Sequence, residues 1–138
     1  MRIYASYPWG DIPRTREAYV AKTRELLAKQ GARILQPDLA RTGGIMAMKK
    51  IAALADVHYV NIAPHNPNGP LCTAATLHVV TSIPNFLILE PGGSNDPLYK
   101  DIFPGGWKAS PAETWVPEVP GIGVDFSPQF LKEHTVTL

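Results

Sequence analysis

Apolar residues along this chain follow two alternating periods, and the alternation outlines a fold. Ile3 and Ala5 alternate with polar neighbours over residues 2–6, the spacing of a short strand. After the loop 7–13, Tyr19, Val20, Thr23, Leu26 and Leu27 recur at three- and four-residue intervals. That spacing predicts a helix capped by Thr15 and stopped at Gln30-Gly31. A second short strand is expected over 33–36, closed by Pro37-Asp38. Gly43-Gly44 opens a second helix through Ile45, Met48, Ile51, Ala52, Leu54 and Ala55. Residues 58–63 read as the third strand and 72–82 as the third helix, with Leu77 and Val80 turned inward. Residues 85–90, NFLILE, read as the fourth strand.

The order is βα, βα, βα, β with short connections, which predicts an α/β fold with about four parallel strands and crossover helices. Asp38, His65 and Glu90 close the last three strands, at intervals of 27 and 25 residues. One strand, one helix and two loops need about that much chain. All three polar residues are therefore expected at the C-terminal edge of the sheet, where α/β proteins build their sites.

Composition sharpens this outline at a few points. The 138 residues suffice for one domain with a real core. Thirteen basic and twelve acidic side chains leave a formal charge of +1, without the basic footprint of a nucleic-acid binder. No run is long and apolar enough for a membrane span. MRIYASYPWG has no charged start followed by an apolar stretch, so no signal peptide is read there. Cys72 is the single cysteine, which excludes an internal disulfide and fits a reducing cytosol. The expected location is cytoplasmic. Eight of the fourteen prolines fall after residue 83, so 91–138 reads as an irregular Pro/Gly-rich tail around a body formed by 1–90. Its aromatics, Tyr99, Phe103, Trp107 and Trp115, argue against disorder.

The candidate chemistry sits at the strand ends. A carboxylate beside an imidazole fixes its tautomer and raises its basicity, giving a general acid/base that works near neutral pH. Asp38 and His65 can form such a pair; alternatively Asp38 caps the next helix and His65 fills a turn. Glu90 can hydrogen-bond a substrate carboxylate, or it is simply a solvated strand end. His58, His78 and His134 read as surface or packing residues, and no Cys/His spacing suggests zinc. Cys72 reads as a small helix residue. Gly43-Gly44 could offer amides to an anion, though a tight turn explains it as well. Gly121-Ile-Gly123 lacks the strand–helix setting of a dinucleotide site.

Two stretches then resemble a known family: ILQPDLARTGGIMAMKKIAALAD and NIAPHNPNGPLCTAATLHVVTSIPNFLILE look like the last three barrel strands of the enolase superfamily. The likeness is to its mandelate racemase subgroup, specifically the acid-sugar dehydratases of galactonate dehydratase type. RIYASYPWGDIPRTREAYVAKTRELL is similar to the family's first barrel strand and helix, and VPEVPGIGVDF to the segment returning to its capping domain. The resemblance implies a partial (β/α) barrel, the first unit joined to strands six to eight. It also implies a lyase that removes the proton α to a carboxylate, through an enediolate stabilised by magnesium.

Asp38 and His65 match the family's dyad, whose histidine assists departure of the 3-hydroxyl and in some members is also the base. Glu90 matches the strand-eight glutamate on the substrate carboxylate or enolate. Asn66, beside His65, joins it as a candidate substrate contact. Strands two to five have no counterpart, and with them go the three carboxylate ligands for Mg2+, so no metal-ligating residue is assigned. A small acid sugar is the expected partner. An open sheet of four strands leaves apolar surface that self-association would hide. The alternative to a lyase is a non-catalytic shortened paralogue, or an interaction module pairing with itself or with a longer relative.

Overall fold

A computed structural model describes residues 32–90, 113–116 and 118–135, preceded by Ala18, Ala21, Arg24, Glu25, Leu27 and Lys29. The expected strand at 2–6 lies outside the described residues, as do 91–112 of the expected tail. In chain order the elements are β1 (Ile34–Leu35), α1 (Leu39–Thr42), α2 (Ile45–Asp56), β2 (Asn61–Ile62), α3 (Pro70–Val80) and α4 (Pro128–His134). Ala18, Ala21, Arg24, Glu25 and Leu27 are helical too, as the periodicity before Gly31 predicts, and Leu27 is buried.

β1 and β2 pair in parallel, Ile34 with Asn61 and Leu35 with Ile62. Beyond the named strands the same register continues to a bridge between Asp38 and His65. Backbone hydrogen bonds carry it there: Asn61 N–H to Arg33 O, Ala63 N–H to Leu35 O and His65 N–H to Pro37 O. Short strands thus end in a long, well-registered approach to the candidate site.

α1 was not anticipated. Asp38 starts it, its Oδ1 accepting from Ala40 N–H, and Gly43 ends it in a left-handed conformation at φ 100°. Gly44 follows at φ 86° and ψ −168°, a backbone that requires glycine, and its N–H bonds to Leu39 O. The glycine pair is therefore a turn between helices. α2 buries Ala47, Met48, Ile51, Ala52 and Ala55, one stripe at helical spacing, against β1, β2 and α3. Met48, Ile51 and Ile62 are essentially inaccessible, and burial of each stabilises the fold by about 1.5–3 kcal/mol.

Two expectations need correction. The third strand does not begin at His58: residues 57–59 form a turn, with Tyr59 at φ 55°, and pairing starts at Asn61. Residues 85–90 make no regular strand beside β2, only a bridge from Ile62 to Phe86. Ile62 N–H bonds to Asn85 O and Leu87 N–H to Ile62 O, both at 2.8 Å. The next donor due on β2's side is residue 64, a proline with no N–H. The ladder fails there and resumes irregularly with Glu90 N–H to Pro64 O at 3.4 Å.

α3 begins with Pro70 at its first position, where a missing N–H costs nothing. It is buried nearly all round, at Thr73, Ala74, Ala75, Thr76, Leu77, Val79 and Val80, not along one stripe. Thr73 and Thr76 satisfy their hydroxyls on Gly69 O and Cys72 O, which permits their burial. Ile122 and Val124 of the tail pack against Ala74. The stretch around Ile122 and Val124 therefore lies against α3, and α4, capped by Ser127, follows it.

Candidate active site

The site lies at the C-terminal edge of the sheet, where the paired segments run out at Asp38 and His65. Asp38 is 3% exposed, a depth at which a carboxylate needs full satisfaction. Its Oδ1 accepts from Ala40 N–H at 2.9 Å and from Asn68 Nδ2 at 3.1 Å. Its Oδ2 lies 3.0 Å from His65 Nδ1 and 3.4 Å from Arg41 Nε. Three of these four partners can only donate, so the carboxylate is held as an acceptor and His65 Nδ1 carries the hydrogen. That leaves Nε2 as the basic nitrogen of a half-exposed imidazole, with no partner among the described residues. One oxygen of Asp38 thus caps α1 while the other lies against His65.

Glu90 comes in where the ladder resumes: its N–H on Pro64 O, in place of that of residue 89, shifts the register by one residue and sets Glu90 opposite His65. Its Oε2 accepts from Asn66 N–H at 3.0 Å, and its backbone oxygen accepts from Asn66 Nδ2 at 3.3 Å. Asn66 itself has no exposed surface, and Nδ2 also donates to Thr73 Oγ1 at 3.0 Å. Asn66, the expected substrate contact, ties Glu90 and the start of α3 to the loop that carries His65.

Among the described residues no cluster of three or more His, Cys, Asp or Glu is arranged to hold a metal ion. Both Asp38 oxygens and Glu90 Oε2 are already engaged by protein donors. Magnesium wants near-octahedral oxygen ligation with carboxylate anchors. These residues do not fit it.

Arg41, Asn68 and Thr73 were missed from sequence. Arg41 had a signal in its three-residue spacing from Asp38 across a helical turn, had α1 been foreseen. Asn68 lies in Pro67-Asn68-Gly69-Pro70, a stretch that reads as turn chemistry only. Cys72 lies close enough to Asp38 to feel its charge. Burial raises its thiol pKa and Asp38 raises it further, against hydrogen bonds from Thr76 and Ala40 that lower it.

A registered carboxylate–imidazole pair thus stands at the C-terminal edge of the parallel sheet of an α/β protein. The chain belongs to the enolase C-terminal domain-like family, whose model matches residues 15–130. Within the superfamily its relatives fall in the mandelate racemase/muconate lactonizing group. It is 34% identical over 113 residues to the D-xylonate dehydratase of Haloferax volcanii, covering 82% of this chain and 27% of that one. It is 54% identical over 56 residues to the D-galactonate dehydratase of Verminephrobacter eiseniae, covering 41% of this chain and 15% of that one. Among crystal structures, it matches a mandelate racemase/muconate lactonizing enzyme from Jannaschia sp. CCS1 with a TM-score of 0.72. Identity there is 33%, over 91% of this chain and 31% of that one. The chain thus spans between about a seventh and a third of the length of these relatives.

Proposed function

We propose that residues 1–90 form part of a (β/α) barrel of the dehydratase type, with 91–138 as its returning tail. Its site acts on a small acid sugar in the cytoplasm, as a carbon–oxygen lyase. The observation that carries this reading is the 3.0 Å contact of Asp38 Oδ2 with His65 Nδ1, at registered strand ends. With its hydrogen on Nδ1, His65 takes the proton α to the substrate carboxylate at Nε2. The C–H electron pair becomes a carbon–carbon double bond as the β-hydroxyl leaves. The proton on Nε2 passes to that hydroxyl, which departs as water, and the resulting enol becomes a 2-keto acid. One imidazole serves as base and then acid, so His65 returns to its starting state. Glu90 offers its remaining carboxyl oxygen to the substrate, and Asn66 fixes Glu90 in place. No step is routed through Mg2+, because the described residues do not fit it.

Turnover of D-galactonate, D-xylonate and related sugar acids, with and without magnesium, tests the reading. A 2-keto product formed by the native chain and lost in His65→Asn supports it. Turnover unchanged by that substitution overturns it.

A second reading has an observation of its own. Phe86, Leu87 and Ile88 are 40%, 48% and 63% exposed, an apolar row on an extended segment. Self-association, or pairing with a longer relative, would cover that row. In this reading the chain is an interaction module or a non-catalytic shortened paralogue. Light scattering at micromolar concentration showing only monomer removes the self-associating form.

A further inference from the structure

We infer that Asn68 is a positioning residue for the Asp38–His65 pair. It holds the Asp38 carboxylate in the orientation that keeps a hydrogen on His65 Nδ1 and leaves Nε2 bare. The inference takes its functional meaning from the acid/base reading of His65, but its test does not depend on turnover.

A carboxylate turns about its last side-chain torsion in a broad, roughly two-fold well, so its two oxygens are not distinguished by conformation alone. They are distinguished here by their partners. Oδ1 is taken by Ala40 N–H and Asn68 Nδ2, while Oδ2 is left to His65 and Arg41. Arg41 sits farther off, at 3.4 Å, with a side chain 44% exposed, so water competes for its charge. Asn68 is closer and half-buried.

Its place in the chain gives the contact its consequence. Asn68 and His65 belong to one loop, so that loop is fastened to one carboxylate at two points, Nδ1 on one oxygen and Nδ2 on the other. Pro64, Pro67 and Pro70 restrict the backbone between and around those points. Loss of the Asn68 anchor leaves Ala40 N–H alone on Oδ1, so the carboxylate plane can turn. The loop is also released at one of its two points, which lets the imidazole drift from its acceptor. The tautomer of a neutral imidazole follows the partner of each nitrogen, so the proton redistributes.

The experiment is nitrogen-15 NMR of the histidine rings in the full chain, well above the ordinary histidine pKa of roughly 6.5. The His65 signals are identified by their loss in His65→Asn, and His58, His78 and His134 serve as internal references. In the native chain the Nδ1–H form dominates. Asn68→Ala is expected to lower the ratio of Nδ1–H to Nε2–H roughly tenfold, which corresponds to about 1.4 kcal/mol. Asn68→Asp keeps the volume, loses the donor and is expected to move the ratio the same way. The reference histidines stay unchanged.

An unchanged ratio in both variants overturns the inference. So does a shift in Asn68→Ala alone, which assigns the effect to lost volume. Loss of folding in both makes Asn68 a residue of the fold and also overturns it. A chain without dehydratase turnover whose tautomer still responds to Asn68 refutes the acid/base function and leaves the positioning role standing.

Discussion

His65 Nδ1 lies 3.0 Å from Asp38 Oδ2 although 27 residues separate them, and the same offset runs through every pairing of β1 with β2. The contact is thus set by backbone register, and a chance approach of two loops is not needed to explain it. A one-residue slip between the strands would send the two side chains to opposite faces.

Asp38 performs two tasks that substitution can separate. Asparagine caps a helix about as well as aspartate, so Asp38→Asn should retain the cap on Ala40 while losing the acceptor for His65 and Arg41. The expected loss is about 1.5 kcal/mol, from charge-assisted hydrogen bonds alone. Asp38→Ala removes the cap as well and should lose about 1 kcal/mol more. Urea denaturation of the two variants side by side checks the order; equal losses would contradict it.

Asn85 joins α2 to the segment that enters β2 through one amide. Its Nδ2 donates to Ala52 O in α2 at 3.0 Å and to Val60 O ahead of β2 at 2.9 Å, and the residue is buried. Asn85→Ala should destabilise the fold by about 2 kcal/mol, the range for stripping donors from buried acceptors. Asn85→Asp should cost more at neutral pH, because a carboxylate has only acceptors to offer two carbonyls. Thermal unfolding of both variants tests this, and a milder effect for Asp than for Ala would refute it.

Tyr59 holds a left-handed backbone, φ 55°, with 97% of its surface exposed. A side chain there costs about 1–2 kcal/mol, and this one returns nothing by burial. Tyr59→Gly relieves that strain, offset by the roughly 0.5–1 kcal/mol that glycine loses in backbone freedom. A net gain of about 0.5 kcal/mol should appear as a higher urea midpoint at unchanged slope.

Cys72 predicts a pH dependence. Burial first, then the Asp38 charge, raise its thiol above the ordinary range, while hydrogen bonds from Thr76 and Ala40 partly oppose them. Alkylation by iodoacetamide should therefore rise with pH at a midpoint above about 8.5, the value of a free thiol. The folded chain holds this proton more tightly than the unfolded one. The group's contribution to stability is thus complete below the ordinary thiol range and declines as pH rises through it toward the folded value. Asp38→Asn removes one of the raising causes and should lower the alkylation midpoint.

The helices α2 and α3 were legible to within about two residues, α2 from the glycine pair that opens it. The Asp38–His65 pair was legible because a parallel register converts a sequence interval into a spatial one. Glu90 was legible only in part. Its interval of 25 from His65 suited a strand end, but the missing N–H of Pro64 breaks the ladder, so no regular strand leads up to it. The burial of Asn66 against Thr73 was not legible, because it is a tertiary fact with no local signal. α1 was missed because a single turn between Asp38 and Gly43 has no room for a hydrophobic period. The inward face of α3 was underestimated for a related reason: the covering residues, Ile122 and Val124, arrive from far along the chain.

That last contact bears on how the chain is made. Synthesis runs from the N-terminus, so α3 leaves the ribosome with Ala74 still uncovered, and stays so until Ile122 and Val124 have emerged. In that interval a helix that is apolar on several sides waits for its lid. Nascent chains paused between the two segments should be the species that holdase chaperones recognise, and the released chain should not.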